Sequence, residues 1–166
     1  MEVREATPAD AEEIAAIIAV VAEEGSIATE APVDVAARAE ALRAELSGDG
    51  PTGGWVLVDD GKIVGTGGLH ATGIDGVLSL GISLLPGSRG RGGGRALLEA
   101  LVDAAERSGA HKLELECWPD NSRAVALYAR HGFAVEGLRR NHYRRRDGSL
   151  RSSLLMARLL GGSASG

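Results

Sequence analysis

A ten-residue segment rich in glycine and arginine, Pro86–Arg95, constrains the fold of this chain most. It lies between an apolar run typical of a strand, Val77–Leu84, and an amphipathic pattern that predicts a helix over Arg95–Ser108. Glycine lets the backbone approach a ligand closely, because no Cβ intervenes. The first N–H groups of a helix have no helical acceptor, and the helix dipole and nearby arginines add positive potential. The sequence therefore predicts a strand–loop–helix unit that binds a diphosphate.

Two common phosphate-binding patterns do not fit this segment. The Walker loop requires a lysine, and the segment contains none. The dinucleotide fingerprint requires a third glycine where this chain has Arg95 or Leu97, depending on the starting point. The pattern that fits is Arg-x-x-Gly-x-Gly, through Arg89, Gly92 and Gly94.

The rest of the chain predicts the element order βααβββαβαββ and an α/β (α+β) fold with a mixed sheet. We expect a single domain over residues 1–160 and a flexible tail over residues 161–166. The predicted strands are Val3–Ala6, Trp55–Asp59, Ile63–His70, Val77–Leu84, His111–Cys117, Phe133–Tyr143 and Ser153–Leu159. Four helices are predicted. The first starts at a Thr7–Pro8 cap, and the other three cover Asp34–Leu46, Arg95–Ser108 and Asn121–His131.

Composition narrows the function classes. The single cysteine, Cys117, excludes an intrachain disulfide framework and a multi-cysteine metal site. No apolar run reaches the length of about 20 residues that a membrane helix needs, and the N-terminus lacks the pattern of a secretory signal, so we expect a cytoplasmic protein. The net charge of −5 combines −11 in residues 1–60 with +6 in residues 61–166. Two interpretations fit this split. One is uneven surface charge without a function; the other is an anionic cofactor bound on one side and a cationic acceptor on the other.

A second motif lies about thirty residues downstream. Asn121–Phe133 reads NSRAVALYARHGF. Together with the glycine-rich loop, it resembles the two acyl-CoA motifs of the Gcn5-related N-acetyltransferase (GNAT) superfamily. The resemblance covers nearly the whole chain and is strongest over Leu80–Phe133. It implies a mixed, mostly antiparallel sheet with helices on both faces. It also implies an acetyl-CoA-dependent N-acetyltransferase that transfers the acetyl group to a primary amine by direct attack in a ternary complex, without a metal.

The resemblance also implies roles for individual residues. Tyr128 would protonate the departing thiolate of CoA, although an isolated tyrosine on an apolar helix face is usually a core residue. Asn121 would contact the cofactor and also cap its helix. The other cofactor-binding residues would be the strand residues Ile82, Ser83 and Leu84, along which the pantetheine arm lies, and the loop residues Arg89, Gly90, Arg91, Gly92, Gly93, Gly94 and Arg95.

The general base has two candidates. The stretch Leu115–Asn121 resembles a segment of ribosomal-protein alanine N-acetyltransferases in which the glutamate is the proton acceptor, and Glu116 holds that place. Strand alternation puts Glu114 beside it, so both glutamates also fit a solvated face. Glu30 is the rival, because its loop borders the acceptor site in the superfamily. Trp118 would form a wall of the substrate site.

The acceptor stays open at this point. The run Leu138–Tyr143 also resembles the ribosomal-protein subgroup, whereas Ala28–Pro32 looks more like small-amine acetyltransferases of the superfamily. A protein N-terminus and a small amine or amino acid therefore both fit. A non-catalytic acyl-CoA-sensing module and a nucleotide-binding regulatory protein are the alternatives from other classes. We expect no nucleic-acid or membrane partner, since the arginines at 144–146 come without aromatic stacking platforms in a chain of net charge −5 and fit a solvated hairpin tip better; a homodimer is compatible with the sequence.

Overall fold

The computed structural model describes residues 1–48 and 52–161, and within them seven strands and four α-helices follow the expected order. The strands are β1 Glu2–Glu5, β2 Gly53–Asp59, β3 Lys62–Ala71, β4 Val77–Leu84, β5 Lys112–Cys117, β6 Ala134–Arg144 and β7 Leu150–Leu159. The helices are α1 Ala11–Glu23, α2 Val35–Leu46, α3 Gly93–Arg107 and α4 Ser122–Arg130. Single 3₁₀ turns occupy Pro8–Asp10 and Pro86–Ser88.

All seven strands form one sheet with the order β1-β2-β3-β4-β5-β7-β6. Only β4 and β5 pair in parallel among the described strands; α3 connects them, as a parallel connection requires. The other neighbours are antiparallel. This arrangement confirms the predicted mixed, mostly antiparallel sheet, and it places β4 in the middle of the sheet.

Local signals account for several boundaries. Asp60 and Gly61 both have positive φ, 48° and 75°, which is the backbone of the tight turn predicted between β2 and β3. Asp34 accepts a hydrogen bond from the N–H of Ala37 at 3.0 Å and caps α2. Asn121 caps α4 in the same way, through Ala124 N–H at 3.2 Å.

The starts of α1 and α3 compare differently with expectation. The predicted start at Thr7 is present as a 3₁₀ turn, Pro8–Asp10, that leads into α1 at Ala11; the Asp10 carboxylate accepts the Thr7 N–H at 2.7 Å, as the expected cap requires, and also pairs with Arg4 at 2.8 Å. In contrast, α3 begins at Gly93, two residues before the predicted start at Arg95. Two glycines thus form its first helical residues.

The helices cover both faces of the sheet, as predicted. Along β2, Trp55 and Leu57 belong to the core that packs under α3 and α4, whereas Val56 and Val58 pack against α1 and α2. Strand alternation therefore divides the interior into two cores on opposite faces. We call these the α3/α4 face and the α1/α2 face of the sheet.

Most of the predicted tail, residues 162–166, lies outside the described residues. Among the helices that are described, none has both the length and the apolar character to span a bilayer. Within residues 1–48 and 52–161, no group of three or more His, Cys, Asp or Glu side chains is arranged to hold a metal ion.

Candidate functional site

The parallel pairing between β4 and β5 stops in the middle of the sheet. The register runs from Val77 opposite Lys112 to Leu80 opposite Leu115 and ends there. Beyond it, β4 continues through Gly81–Leu84 while pairing only with β3, and β5 continues to Cys117 while pairing with β7. The backbone groups of Gly81–Ser83 that face β5 therefore have no strand partner, which leaves an open edge inside the sheet.

A cleft of about 520 Å³ opens at this gap. Its volume is in the range of sites that hold small molecules and cofactors. Six of the predicted site residues line it: Ile82, Ser83, Glu116, Trp118, Asn121 and Tyr128. Leu84, Glu30 and the loop residues Arg89–Arg95 do not.

The glycine-rich turn has the backbone of an anion site. Gly90 and Gly92 have φ of 77° and 89°, a left-handed conformation that glycine adopts without strain. Gly92 is the residue before α3, and the N–H of Ala96 bonds to its carbonyl at 3.0 Å. The N–H groups of Gly93, Gly94 and Arg95 precede that bond and have no acceptor in the helix. All three N–H groups therefore face the space beyond the N-terminal end of α3.

Gly93 has a different reason for being glycine. A Cβ at this position would overlap the Leu57 side chain, and it would lie 3.3 Å from Leu84. A Cβ at Gly94 would lie 3.3 Å from Leu84 and 3.5 Å from Leu127. These two glycines therefore let the start of α3 lie directly on the sheet, which fixes where its free N–H groups are.

The three arginines of the turn have protein partners. Arg89 donates to the carbonyl of Leu84 at 2.8 and 3.1 Å and pairs with Glu24. Arg91 pairs with Asp59 at 2.7 Å, and Arg95 pairs with Glu99 at 2.8 Å. Arg91 and Arg95 remain more than half exposed, at 54% and 69% of their side chains, so both can reorient. Arg89 instead holds the end of β4 against the end of α1.

Glu116 lies on the α1/α2 face, surrounded by donors. It accepts hydrogen bonds from Ser153 Oγ, which is fully buried, and from Arg139 at 3.2 Å. Tyr143 lies nearby, and burial together with the Glu116 charge raises the pKa of that phenol. These contacts fix the orientation of the carboxylate at the edge of the cleft.

Tyr128 lies on the opposite side of the gap, in the α3/α4 core. Burial is the largest cause that raises the pKa of its phenol, with Cys117 contributing, so the group stays protonated at neutral pH. Within the described part of the chain its hydroxyl has no hydrogen-bond partner, although it is not enclosed away from the cleft. Burial also raises the pKa of the Cys117 thiol, and a protonated thiol is a poor nucleophile.

Trp118 joins the loop between α1 and α2 to the rest of the site. Its Nε1 donates to the carbonyl of Gly25 at 2.9 Å, and its ring meets Tyr143 edge to face at 5.3 Å. The Arg151 guanidinium lies 4.3 Å from the indole and donates to the same Gly25 carbonyl at 2.8 Å. The tryptophan is thus buried between the loop and β7, and forms one wall of the cleft.

Glu30 faces the tip of the β6–β7 hairpin. It accepts the backbone N–H of Arg146 at 2.8 Å and lies 3.8 Å from Arg145. Arg145 and Arg146 also donate to the carbonyls of Ala28 and Ala31. We call Arg145, Arg146 and Arg151 the arginine clamp, because all three tie the α1–α2 loop down. The structure gives Glu30 a place in that clamp and brings Glu116, not Glu30, to the cleft.

The sequence profile of the acetyltransferase (GNAT) family matches residues 19–133, which is more than half of the chain. The chain belongs to this family. Both expected motifs, the glycine-rich loop and the Asn121–Phe133 segment, lie inside the matched region.

Individual relatives of this GNAT chain agree. Over 67 residues it is 43% identical to the ribosomal protein bS18-alanine N-acetyltransferase of Escherichia coli, which covers 40% of this chain and 45% of the relative. Over 76 residues it is 42% identical to N-alpha-acetyltransferase RimI of Mycobacterium tuberculosis, covering 46% and 40%. The matches thus span less than half of the length of these curated relatives.

A solved structure extends the likeness to the whole GNAT fold. The ribosomal-protein-alanine N-acetyltransferase of Brucella melitensis superposes with a TM-score of 0.86 at 25% identity, covering 96% of this chain and all of that one. The corresponding enzyme of Escherichia coli gives a TM-score of 0.73, also at 25% identity.

Sequence reasoning missed the surroundings of Glu116 and the far end of the cleft. Arg139 is opposite Ser153 in the β6–β7 register, and β7 pairs with β5, so three adjacent strands bring these side chains together. Alternation within each strand was visible in the sequence, but the order β5-β7-β6 was not. At the far end, Arg38, Glu45 and His70 line the cleft; burial lowers the pKa of His70.

Proposed function

We propose that this chain is an acetyl-CoA-dependent N-acetyltransferase that moves the acetyl group directly to a primary amine in a ternary complex. One observation carries the proposal: the interrupted β4–β5 pairing separates a buried phenol from an oriented carboxylate. Consecutive residues of a strand point to opposite faces, so Glu116 faces the α1/α2 side while Cys117 faces Tyr128. Through the gap, Glu116 from one face and Tyr128 from the other can act on the same bound molecule.

This geometry suits a two-sided reaction. Acetyl-CoA supplies the thioester whose acetyl carbon the amine attacks; a C–N bond forms and the C–S bond breaks. Glu116 takes the proton that leaves the amine, directly or through water, and its two donors, Ser153 and Arg139, keep the carboxylate aimed at the cleft. Tyr128 gives its proton to the departing sulfur, for which its neutral, buried phenol is prepared.

The chain offers a matching surface for the cofactor. The free N–H groups of Gly93, Gly94 and Arg95 would hold the pyrophosphate, with Arg91 and Arg95 turning toward it. The unpaired backbone edge of Gly81–Ser83 would bond the pantetheine arm as an added strand. Leu84 is less suited to this role than Ile82 and Ser83, because Arg89 already occupies its carbonyl. Asn121 lines the cleft beside this edge.

For the acceptor we propose a primary amine of a protein N-terminus. The names of the relatives from Escherichia coli and Mycobacterium tuberculosis support this choice, as does the resemblance around Glu116. A small amine is the second candidate. A mycothiol acetyltransferase of Beutenbergia cavernae is 35% identical over 79 residues, covering 48% of this chain and 22% of that enzyme. Release of free thiol from acetyl-CoA, measured with each acceptor class, separates the two.

The decisive test replaces Tyr128 by Phe. The hydroxyl has no described partner, so the variant should fold and bind CoA with an unchanged thermal shift. We expect kcat to fall about 100-fold or more, because general acid catalysis typically contributes that much. Tyr143→Phe is the matched control, since this tyrosine lies on the acceptor side; its main effect should be on the KM for the amine. An unchanged kcat in Tyr128→Phe would refute the role of this residue.

A binding module without turnover gives a different pattern. Such a protein would show a thermal shift with acetyl-CoA and no thiol release with any peptide, amino acid or polyamine. That result would overturn the proposed activity while leaving the family assignment intact. Glu116→Gln adds an independent check, since we expect it to lower kcat/KM most at low pH, where the amine arrives protonated.

A further inference from the structure

Gly81 occupies an unusual position. It lies in β4, the middle strand of the sheet, between the buried residue Leu80 and the half-buried residue Ile82, and yet it is exposed. Central strands are normally covered on both faces. Here the exposure arises because Gly81 forms part of the floor of the cleft.

Neither the backbone nor the packing of the described residues requires glycine at this position. Its φ is not among the positive values, so any residue could adopt its backbone conformation. A Cβ built on it meets no atom within 4 Å, in contrast to Gly93, where a Cβ would overlap Leu57. Glycine in a strand interior is unfavourable in itself. The empty space above Gly81 therefore calls for a functional reason.

That space lies on the acceptor side of the gap. Leu80 and Ile82 pack into the α3/α4 core, so alternation directs a Cβ at position 81 toward the α1/α2 face. Glu116 faces the same side, one residue beyond the last β4–β5 pair, Leu80 opposite Leu115. Gly81 and Glu116 therefore flank the point at which β4 and β5, about 4.8 Å apart where they pair, separate.

Apolar side chains form part of the lining of the same cleft. Ile14 and Ile18 from α1 and Ile27 from the α1–α2 loop are among them. An amine whose proton is taken by Glu116 places its own carbon next to Glu116, on the side of the sheet where Gly81 has no side chain. A hydrogen on that carbon would leave the space empty, whereas a methyl or larger group would fill it.

We propose that Gly81 is a specificity-determining residue, which makes room for a substituent on the carbon that bears the acceptor amine. The preferred acceptors are then α-substituted primary amines, such as a peptide that begins with alanine, over unsubstituted ones, such as a peptide that begins with glycine. This inference rests on the proposed function.

The test compares two hexapeptides that differ only in an N-terminal alanine or glycine, in a thiol-release assay with saturating acetyl-CoA. The wild type should favour the alanine peptide in kcat/KM. Gly81→Ala should reduce that preference about tenfold, because one added methylene in such a pocket typically changes discrimination by about that factor or more, and Gly81→Val should reduce it further or reverse it. The KM for acetyl-CoA should stay within about twofold, because both substitutions keep the backbone groups proposed to bond the pantetheine arm.

Gly137→Ala is the matched control. This strand glycine of β6 also has open space at its Cβ and no positive φ, but it does not line the cleft, so the peptide preference should remain that of the wild type. An equal loss for both peptides in Gly81→Val, or a wild type that prefers glycine, would overturn the inference. A raised KM for acetyl-CoA with unchanged peptide preference would also overturn it. No turnover of any amine by the wild type would instead refute the proposed function, and this inference with it.

Discussion

Removing Arg151 should release the loop between α1 and α2. The guanidinium of this residue lies 4.3 Å from the Trp118 ring and donates to Gly25 O at 2.8 Å. Its contact with Asp120, at 3.2 Å, involves a carboxylate that is 77% exposed and contributes little. Arg151→Met keeps an apolar stem over the tryptophan and removes the charge and both donors.

The structure allows the size of the effect to be worked out. A cation over an indole in a partly exposed site contributes about 0.5–1 kcal/mol. A hydrogen bond from a charged donor adds about 1 kcal/mol after allowance for solvent, since the Arg151 side chain is 33% exposed. The Gly25 carbonyl keeps the Trp118 donor, so no buried acceptor is left unpaired. The loop should therefore open more easily by about 1.5–2 kcal/mol, which is about ten- to thirtyfold in population.

Cleavage by a glutamate-specific protease measures that population. The Glu30–Ala31 bond lies in the loop, and Glu30 accepts the backbone N–H of Arg146, so the bond is accessible only after the loop opens. When closing is faster than cleavage, the rate follows the open fraction. We expect cleavage after Glu30 to accelerate about ten- to thirtyfold in Arg151→Met, as followed by mass spectrometry.

Arg158→Met provides the control for general destabilisation. Arg158 is also on β7 and is 32% exposed, but it donates to the carbonyl of His131, away from the loop. Equal acceleration in both variants would mean that cleavage reports global unfolding. A rate in Arg151→Met within about twofold of the wild type would refute the reasoning. Because loop residues Ser26–Thr29 line the cleft, the KM for the amine should rise in Arg151→Met while the KM for acetyl-CoA does not.

Three further predictions follow from the described contacts. Gly93→Ala should lower the free energy of unfolding by about 1–3 kcal/mol and weaken the thermal shift with acetyl-CoA, because α3 must move off the sheet; Gly87→Ala, with open space at its Cβ, should do neither. Asp10→Asn should lower the free energy of unfolding by about 2 kcal/mol at pH 7, measured by urea unfolding. Since the Arg4 pair lowers the pKa of Asp10, that contribution is full above the ordinary carboxyl pKa of about 3.9 and should shrink as pH falls below it. The half-buried Cys117, whose thiol pKa is raised, should react with iodoacetamide at pH 8 more slowly in the folded chain than in urea.

Local sequence signals predicted most of the fold. Asp34, Asn121 and the Asp60–Gly61 turn act through neighbours within a few residues, so their caps and turn were visible in the sequence. The start of α3 was missed because glycine is a poor helix former, and the predicted helix was placed after the last one. Packing of Gly93 against Leu57 on β2 outweighs that preference, and no local signal reports a contact over such a separation.

The candidate site was predictable as far as its motifs extend along the chain. Tyr128, Asn121 and Glu116 lie at the cleft because each follows directly from the β5–α4 connection. The arginine clamp was not foreseen, because its contacts join residues more than a hundred positions apart, as from Arg151 to Gly25. The partners of the charged residues in the two halves of the chain were not visible in the sequence for the same reason.

Ion pairs between the two halves account for part of the split in charge along the sequence. Arg89 with Glu24, Arg91 with Asp59 and Arg145 with Glu30 each join a cation of the second half to a carboxylate of the first. Attraction of a cationic acceptor by the acidic half therefore has fewer free carboxylates to act through than the composition suggests.

Glycines on the two faces of the sheet have different roles. On the α3/α4 face, a Cβ at Gly67 would lie 2.9 Å from Leu101, and one at Gly93 would overlap Leu57, so glycine brings α3 close to the sheet and sets the position of its free N–H groups. On the α1/α2 face, a Cβ at Gly81 would meet none of the described atoms within 4 Å. Under the proposed function, glycine on the first face would set where the anionic cofactor is held, and glycine on the second would set which amine can approach. Because the faces are separate, substitutions on one should change cofactor binding, and substitutions on the other should change acceptor choice.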